Sequence, residues 1–90
     1  MSKKRGKLEV VYDILSIIRN NKNSIKPTPL LRSSNLSTKR FHEYFAELLK
    51  KGFIREISSK NGKVITLTDL GFEYLEKYKT ITSFIEDFDL

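Results

Sequence analysis

Three groups of side chains in this sequence could do chemistry, and the chemistry they share is recognition of a polyanion. Ser37, Thr38, Lys39, Arg40, His42 and Glu43 stand together at the start of an amphipathic segment. Hydroxyls and ammonium groups of this kind bind phosphate oxygens, while Lys, Arg, His and Glu reach the donors and acceptors on base edges. Lys60, Asn61 and Lys63 form a second group, and Lys3, Lys4, Arg5 and Lys7 a third. Nothing comparable points to catalysis. The chain has no cysteine, which excludes disulfides, thiolate nucleophiles and cysteine metal sites. His42 is the single histidine and has no partner to share a metal or a proton relay with. No nucleophile–base pair, phosphate loop or metal cluster is present, so no cofactor, no metal, no small-molecule ligand and no enzymatic activity are expected.

The distribution of charge agrees with a polyanionic partner. The whole chain carries 17 basic and 11 acidic residues, a net charge of +6. Residues 1–63 hold 15 basic and 5 acidic side chains, hence +10; residues 64–90 hold 2 and 6, hence −4. One end suits a polyanion and the other does not. Ninety residues form a single domain, and a 39% hydrophobic content is enough for a small core. No apolar run approaches the roughly 20 residues of a membrane span. The basic start lacks the apolar stretch of a secretory leader. The expectation is a soluble, cytoplasmic, nucleoid-associated protein.

The elements that must position these groups are legible from spacing. Residues 1–7 read as a flexible basic arm. From Leu8 the apolar residues Leu8, Val11, Tyr12, Leu15 and Ile18 take helical spacing, and the polar run Asn20-Asn21-Lys22-Asn23-Ser24 ends that helix. Thr28 reads as an N-cap with Pro29 in the first turn of a short second helix that ends near Ser34. Asn35 suits a tight left-handed turn. Ser37 or Thr38 caps a third helix, closed by Gly52, in which Phe41, Tyr44, Phe45, Leu48 and Leu49 share one face. Lys39, His42, Glu43, Ala46 and Lys50 lie on the opposite arc.

Residues 53–58 and 63–68 read as two strands, and Asn61-Gly62 between them is a strong hairpin signal because both positions tolerate positive φ. Thr68-Asp69 caps a last helix, in which Thr80 and Thr82 predict a weak point. The order is helix, short helix, tight turn, helix, β-hairpin, helix. This is a mainly α (α+β) arrangement: a winged helix-turn-helix with a three-helix core, a hairpin wing and a C-terminal helix. Residues 8–68 form the DNA-binding domain and 69–90 the C-terminal helix. In such a fold the second helix of the helix-turn-helix enters the major groove of double-stranded DNA by its N-terminal part. That part holds Ser37, Thr38, Lys39, Arg40, His42 and Glu43; the wing offers Lys60, Asn61 and Lys63 to the backbone or minor groove. Glu43 and Glu47 repel phosphates and favour selective over indiscriminate binding.

Tyr74, Tyr78, Ile81, Ile85 and Phe88 stand at alternating spacings of four and three, which is heptad spacing. This seam predicts a homodimer that would set two recognition helices on one duplex. The other reading is that the stripe packs within the monomer.

The stretches Lys7-Leu8-Glu9-Val10-Val11-Tyr12-Asp13-Ile14-Leu15, Leu36-Ser37-Thr38-Lys39-Arg40-Phe41, Leu48-Leu49-Lys50-Lys51-Gly52-Phe53-Ile54 and Leu67-Thr68-Asp69-Leu70-Gly71-Phe72-Glu73-Tyr74-Leu75 carry a resemblance. The chain resembles small archaeal winged-helix proteins regarded as transcriptional regulators, related to the basic ten-kilodalton chromatin proteins of thermophilic archaea. The resemblance implies binding of double-stranded DNA and dimerisation through the C-terminal helix. A sequence-selective transcriptional regulator is the first expectation. An architectural chromatin protein is the second, and a winged-helix protein-interaction module without DNA binding is the third.

Overall fold

The computed structural model describes residues 5–90. The elements are α1 (Lys7–Asn20), α2 (Pro27–Ser34), α3 (Thr38–Lys51), β1 (Ile54–Ser59), β2 (Gly62–Leu67) and α4 (Asp69–Asp87). The order is the one expected of a winged helix-turn-helix.

Helix α1 forms the floor of the core. Val10, Val11, Ile14, Leu15 and Ile18 are all buried on its inner face, the stripe that a period of 3.6 residues produces. Leu30 of α2, Phe41 and Leu48 of α3, and Leu75 of α4 pack against it. Tyr44, Phe45 and Leu49 flank that core, half-buried. The turn between α2 and α3 runs through Asn35 at φ 58°, ψ 32°, the left-handed conformation its short polar side chain tolerates. Ser37 then caps α3 by accepting the Arg40 backbone N–H at 3.2 Å, and Gly52 closes the helix at φ 79°.

The hairpin pairs Ile54 with Leu67 at its base and Ser59 with Gly62 at its tip. Ile54, Ile65 and Leu67 are buried and share one face of the ladder, so the base of the hairpin belongs to the core. Beyond Ile65 both strands leave it: every β1 residue after Ile54 is exposed. Ile25, in the connection between α1 and α2, adds a third rung. It exchanges two backbone hydrogen bonds with Ile65, of 3.1 and 2.7 Å, and Asn23 Oδ1 accepts the Leu67 N–H at 2.7 Å.

Several local expectations are corrected. Helix α1 begins at Lys7, inside the stretch read as an arm. Helix α2 begins at Pro27 with Lys26 as N-cap and no side-chain cap. Pro27, which lacks an N–H, takes the first position, where none is needed, and Thr28 falls inside the helix. Both strands differ from the expected ranges by one residue, β1 being displaced later and β2 earlier. The two-residue loop is Lys60-Asn61; Gly62 carries the positive φ, 105°, and Asn61 does not. Helix α4 runs unbroken through Thr80 and Thr82, whose hydroxyls donate to the carbonyls of Glu76 and Lys79. These back-bonds occupy the hydroxyls without breaking the ladder.

Helix α4 is anchored by a close backbone approach. Thr68 Oγ1 accepts the Gly71 N–H at 3.2 Å and donates to the Gly52 carbonyl. The Phe53 carbonyl accepts the Thr68 N–H at 3.2 Å. Gly71 is buried directly over that Phe53 carbonyl, and a Cβ there would collide with the backbone oxygen. Past Leu75 no α4 side chain is buried. Replacing Gly71 by Ala should therefore lower unfolding stability by about 2 kcal/mol despite alanine's better helix propensity. Ala in place of Gly6, which has open space around it, is the control, and chemical denaturation of both variants is the measurement.

Candidate nucleic-acid interface

The helix-turn-helix is built so that one residue in the middle of a polar stretch is pulled inward. Phe41 is buried, while Ser37, Thr38, Lys39, Arg40, His42 and Glu43 around it are all exposed. The fold thus brings the six predicted α3 residues to the surface together. Two of them have local work. The Ser37 hydroxyl oxygen is the α3 cap. The Arg40 guanidinium lies 5.9 Å from the centre of the Tyr44 ring, a cation–π placement that steadies the side chain without neutralising it. The His42 ring meets Phe41 edge-on with centroids 5.9 Å apart.

Lys60 and Asn61 form the loop at the wing tip, and Lys63 pairs across to Ser58. All three are exposed. Arg55, which was not singled out in the sequence, is also exposed, opposite Thr66. Its signal was only its place in a strand whose inner face the core claims.

The basic arm is treated differently by the fold. Lys3 and Lys4 lie outside the described residues. Arg5 is ion-paired to Asp13 at 2.7 Å and donates to the Ser34 carbonyl at 2.9 Å. Lys7 is the first residue of α1 and pairs with Glu47 at 2.8 Å; Lys51 reaches the same carboxylate at 3.2 Å. The hydrogen bond that Lys7 donates to Glu47 holds the Lys7 ammonium pKa above its usual value, and Lys7 and then Lys51 hold the Glu47 carboxyl below its own. Glu47, expected to repel phosphates, is flanked by two cations. Glu43 has no ion-pair partner among the described residues.

The sequence profile of a family described as winged helix-turn-helix matches residues 4–86. This chain belongs to that family. An uncharacterized protein of Methanocaldococcus jannaschii is 35% identical over 80 residues, covering 89% of this chain and 35% of that protein. The chain therefore spans about a third of the length of that relative. Among solved structures, Sso10a-2, a DNA-binding protein from Sulfolobus solfataricus, superposes with a TM-score of 0.74 at 20% identity. The match covers 93% of this chain and 85% of that one. A winged-helix DNA-binding protein from STIV also gives 0.74 at 20% identity, over 88% and 91% of the two chains. At such identity the likeness is one of fold.

The winged helix divides the predicted α4 seam in two. Tyr74 and Tyr78 turn partly inward. The Tyr74 hydroxyl donates to the Leu8 carbonyl at 2.8 Å, and its ring meets Phe53 edge-on. Tyr78 stacks on Tyr12 of α1, with centroids 4.3 Å apart. Ile81, Ile85 and Phe88 remain exposed, by 56%, 42% and 64%. A groove of about 230 Å³ opens where the two halves meet, between Leu8, Phe53, Leu70, Tyr74, Tyr78 and Ile81. No helix among the described residues is long and apolar enough to cross a membrane.

Burial, and secondarily Tyr78, pushes the Tyr74 phenol up to about 12. The folded chain thus retains a proton that the unfolded chain releases near pH 10. Stability from this group is whole below pH 10 and falls as pH rises towards 12. Denaturation midpoints between pH 9 and 12 should show that decline, and Tyr74→Phe should flatten it.

Proposed function

We propose that this chain binds double-stranded DNA as a homodimer and acts as a sequence-selective transcriptional regulator associated with the nucleoid. The observation that carries the reading is the second helix of the helix-turn-helix. Its N-terminal turns present Lys39, Arg40, His42 and Glu43 to solvent while Phe41 holds the same turns to the core. A helix in the major groove uses those positions to meet base edges. Lys60, Asn61 and Lys63 on the wing reach the backbone or minor groove, with Arg55 behind them. The descriptions of the two structural neighbours as DNA-binding proteins support the same assignment.

The dimer reading rests on the uncovered half of α4. In an antiparallel pairing centred on Ile81, Phe88 of one copy meets Tyr74 of the other, because the two numbers lie seven on either side of 81. The exposed turns of each helix then fall on the groove at the root of its partner. Such a contact is isologous, as a two-fold dimer requires. A winged-helix protein-interaction module without DNA binding is the competing reading, and the exposed apolar surface of Phe84, Ile85 and Phe88 supports it.

DNA affinity, site preference and particle mass separate these readings. In fluorescence anisotropy with mixed-sequence duplex, affinity should fall steeply with salt, by roughly 0.9 in log K per log salt for each phosphate contact. The Lys39→Ala, Arg40→Ala double variant should lose at least tenfold in affinity, with about 1–3 kcal/mol for each base contact, and keep its melting temperature. Intact affinity in that variant would exclude α3 as the reading element. A selection for preferred sites then separates a regulator from an unselective chromatin protein. Light scattering should give twice the 10.5 kDa chain mass, reduced to one chain by Ile81→Asp.

A further inference from the structure

From the segment that precedes α1, the Arg5 side chain joins two helices, α1 and α2. One guanidinium nitrogen, Nη1, meets Asp13 Oδ2 of α1 at 2.7 Å; the other, Nη2, donates to the Ser34 carbonyl of α2 at 2.9 Å. Ser34 is the last residue of α2, where helix carbonyls lose their intrahelical partners. It is also 1% exposed, with its hydroxyl donating to the Leu31 carbonyl at 2.7 Å. A cation here satisfies an orphan acceptor and complements the negative end of the helix. Only Asn35, in its left-handed conformation, and Leu36 separate Ser34 from Ser37, the cap of α3. Whatever fixes the Ser34 carbonyl therefore fixes the path into α3.

We propose that Arg5 is a positioning residue: its forked contact with Asp13 and the Ser34 carbonyl holds the α2–α3 turn in the pose that presents α3, and it takes no phosphate itself. This differs from the role of an arm residue, which would put the Arg5 charge on the DNA backbone. The effect on affinity rests on the DNA-binding reading; the effect on the turn does not. Lysine carries the same charge but concentrates it on one ammonium group, without the planar fork that serves two acceptors in fixed directions. Charge alone is thus separable from geometry.

The test uses the full chain with Arg5→Lys, Arg5→Ala and Asp13→Asn. Amide chemical shifts and hydrogen exchange at residues 34–37 are read without DNA, and duplex affinity is read across a salt series. The latch predicts shifted signals and faster exchange at the turn in all three variants. It also predicts about a tenfold loss of affinity, of the size expected for one charge-assisted hydrogen bond, with an unchanged salt slope. A phosphate ligand predicts the opposite pattern. Arg5→Lys would then bind normally, Arg5→Ala would lower the salt slope by about 0.9, and Asp13→Asn would bind more tightly because it frees Arg5 and removes a negative charge. Any of these three results overturns the proposal. If the unaltered chain binds no duplex, the DNA reading fails and the turn signals alone judge the latch; unchanged signals in Arg5→Ala and Asp13→Asn overturn it.

Discussion

The two backbone hydrogen bonds between Ile25 and Ile65 are the constraint on which the rest of the structure depends. A two-stranded hairpin by itself is marginal in water. Here its inner strand is clamped on the second side by the segment that leads into the helix-turn-helix. Ile65 is fully buried and Ile25 nearly so, so the two bonds sit in a dry environment where neither group has water as an alternative partner. The base of the wing is thereby tied to the segment that enters the helix-turn-helix.

The second constraint is the approach of α4 to the loop after α3. Gly71 lets the helix rest on the Phe53 carbonyl, and Thr68 links its first turn to Gly52 and to Gly71. This sets where α4 leaves the domain and which of its faces α1 covers. The tyrosines at 12, 74 and 78 fill the seam, and the turns beyond them extend past the reach of the core. The apolar surface left there is the counterpart of a core too small to use all of α4. The acidic end of the chain thus stands on a helix separate from the basic α3 turns and wing tip.

Much of the fold was legible in the sequence. Helical spacing in 8–18 and 41–49, a cap at Ser37 or Thr38, the cap at Thr68, Asn35 at the turn and Gly52 at the end of α3 are local signals. Each is carried by residues within a few turns of one another, so it can be read before the distant partners are known. Boundaries were less secure where two local signals competed. Pro27 and Pro29 both suit a first helical turn, and the backbone chose the earlier. Asn61-Gly62 pointed to the hairpin, but only Gly62 took the positive φ.

What the sequence determined by itself was the order of the elements, the inward faces of the helices and the exposed basic turns at the start of α3. Only the tertiary structure decided which charges remain free. Arg5, Lys7 and Glu47 looked like independent surface charges; the fold brings Arg5 to Asp13 and Ser34, and Lys7 to Glu47. It also decided that Tyr74 and Tyr78 are half-buried on the core side of α4 while Ile81, Ile85 and Phe88 stay exposed. The reason is physical: periodicity reports the face of an element, whereas an ion pair or a stacked ring depends on the distance between elements. That distance is set by how the core closes.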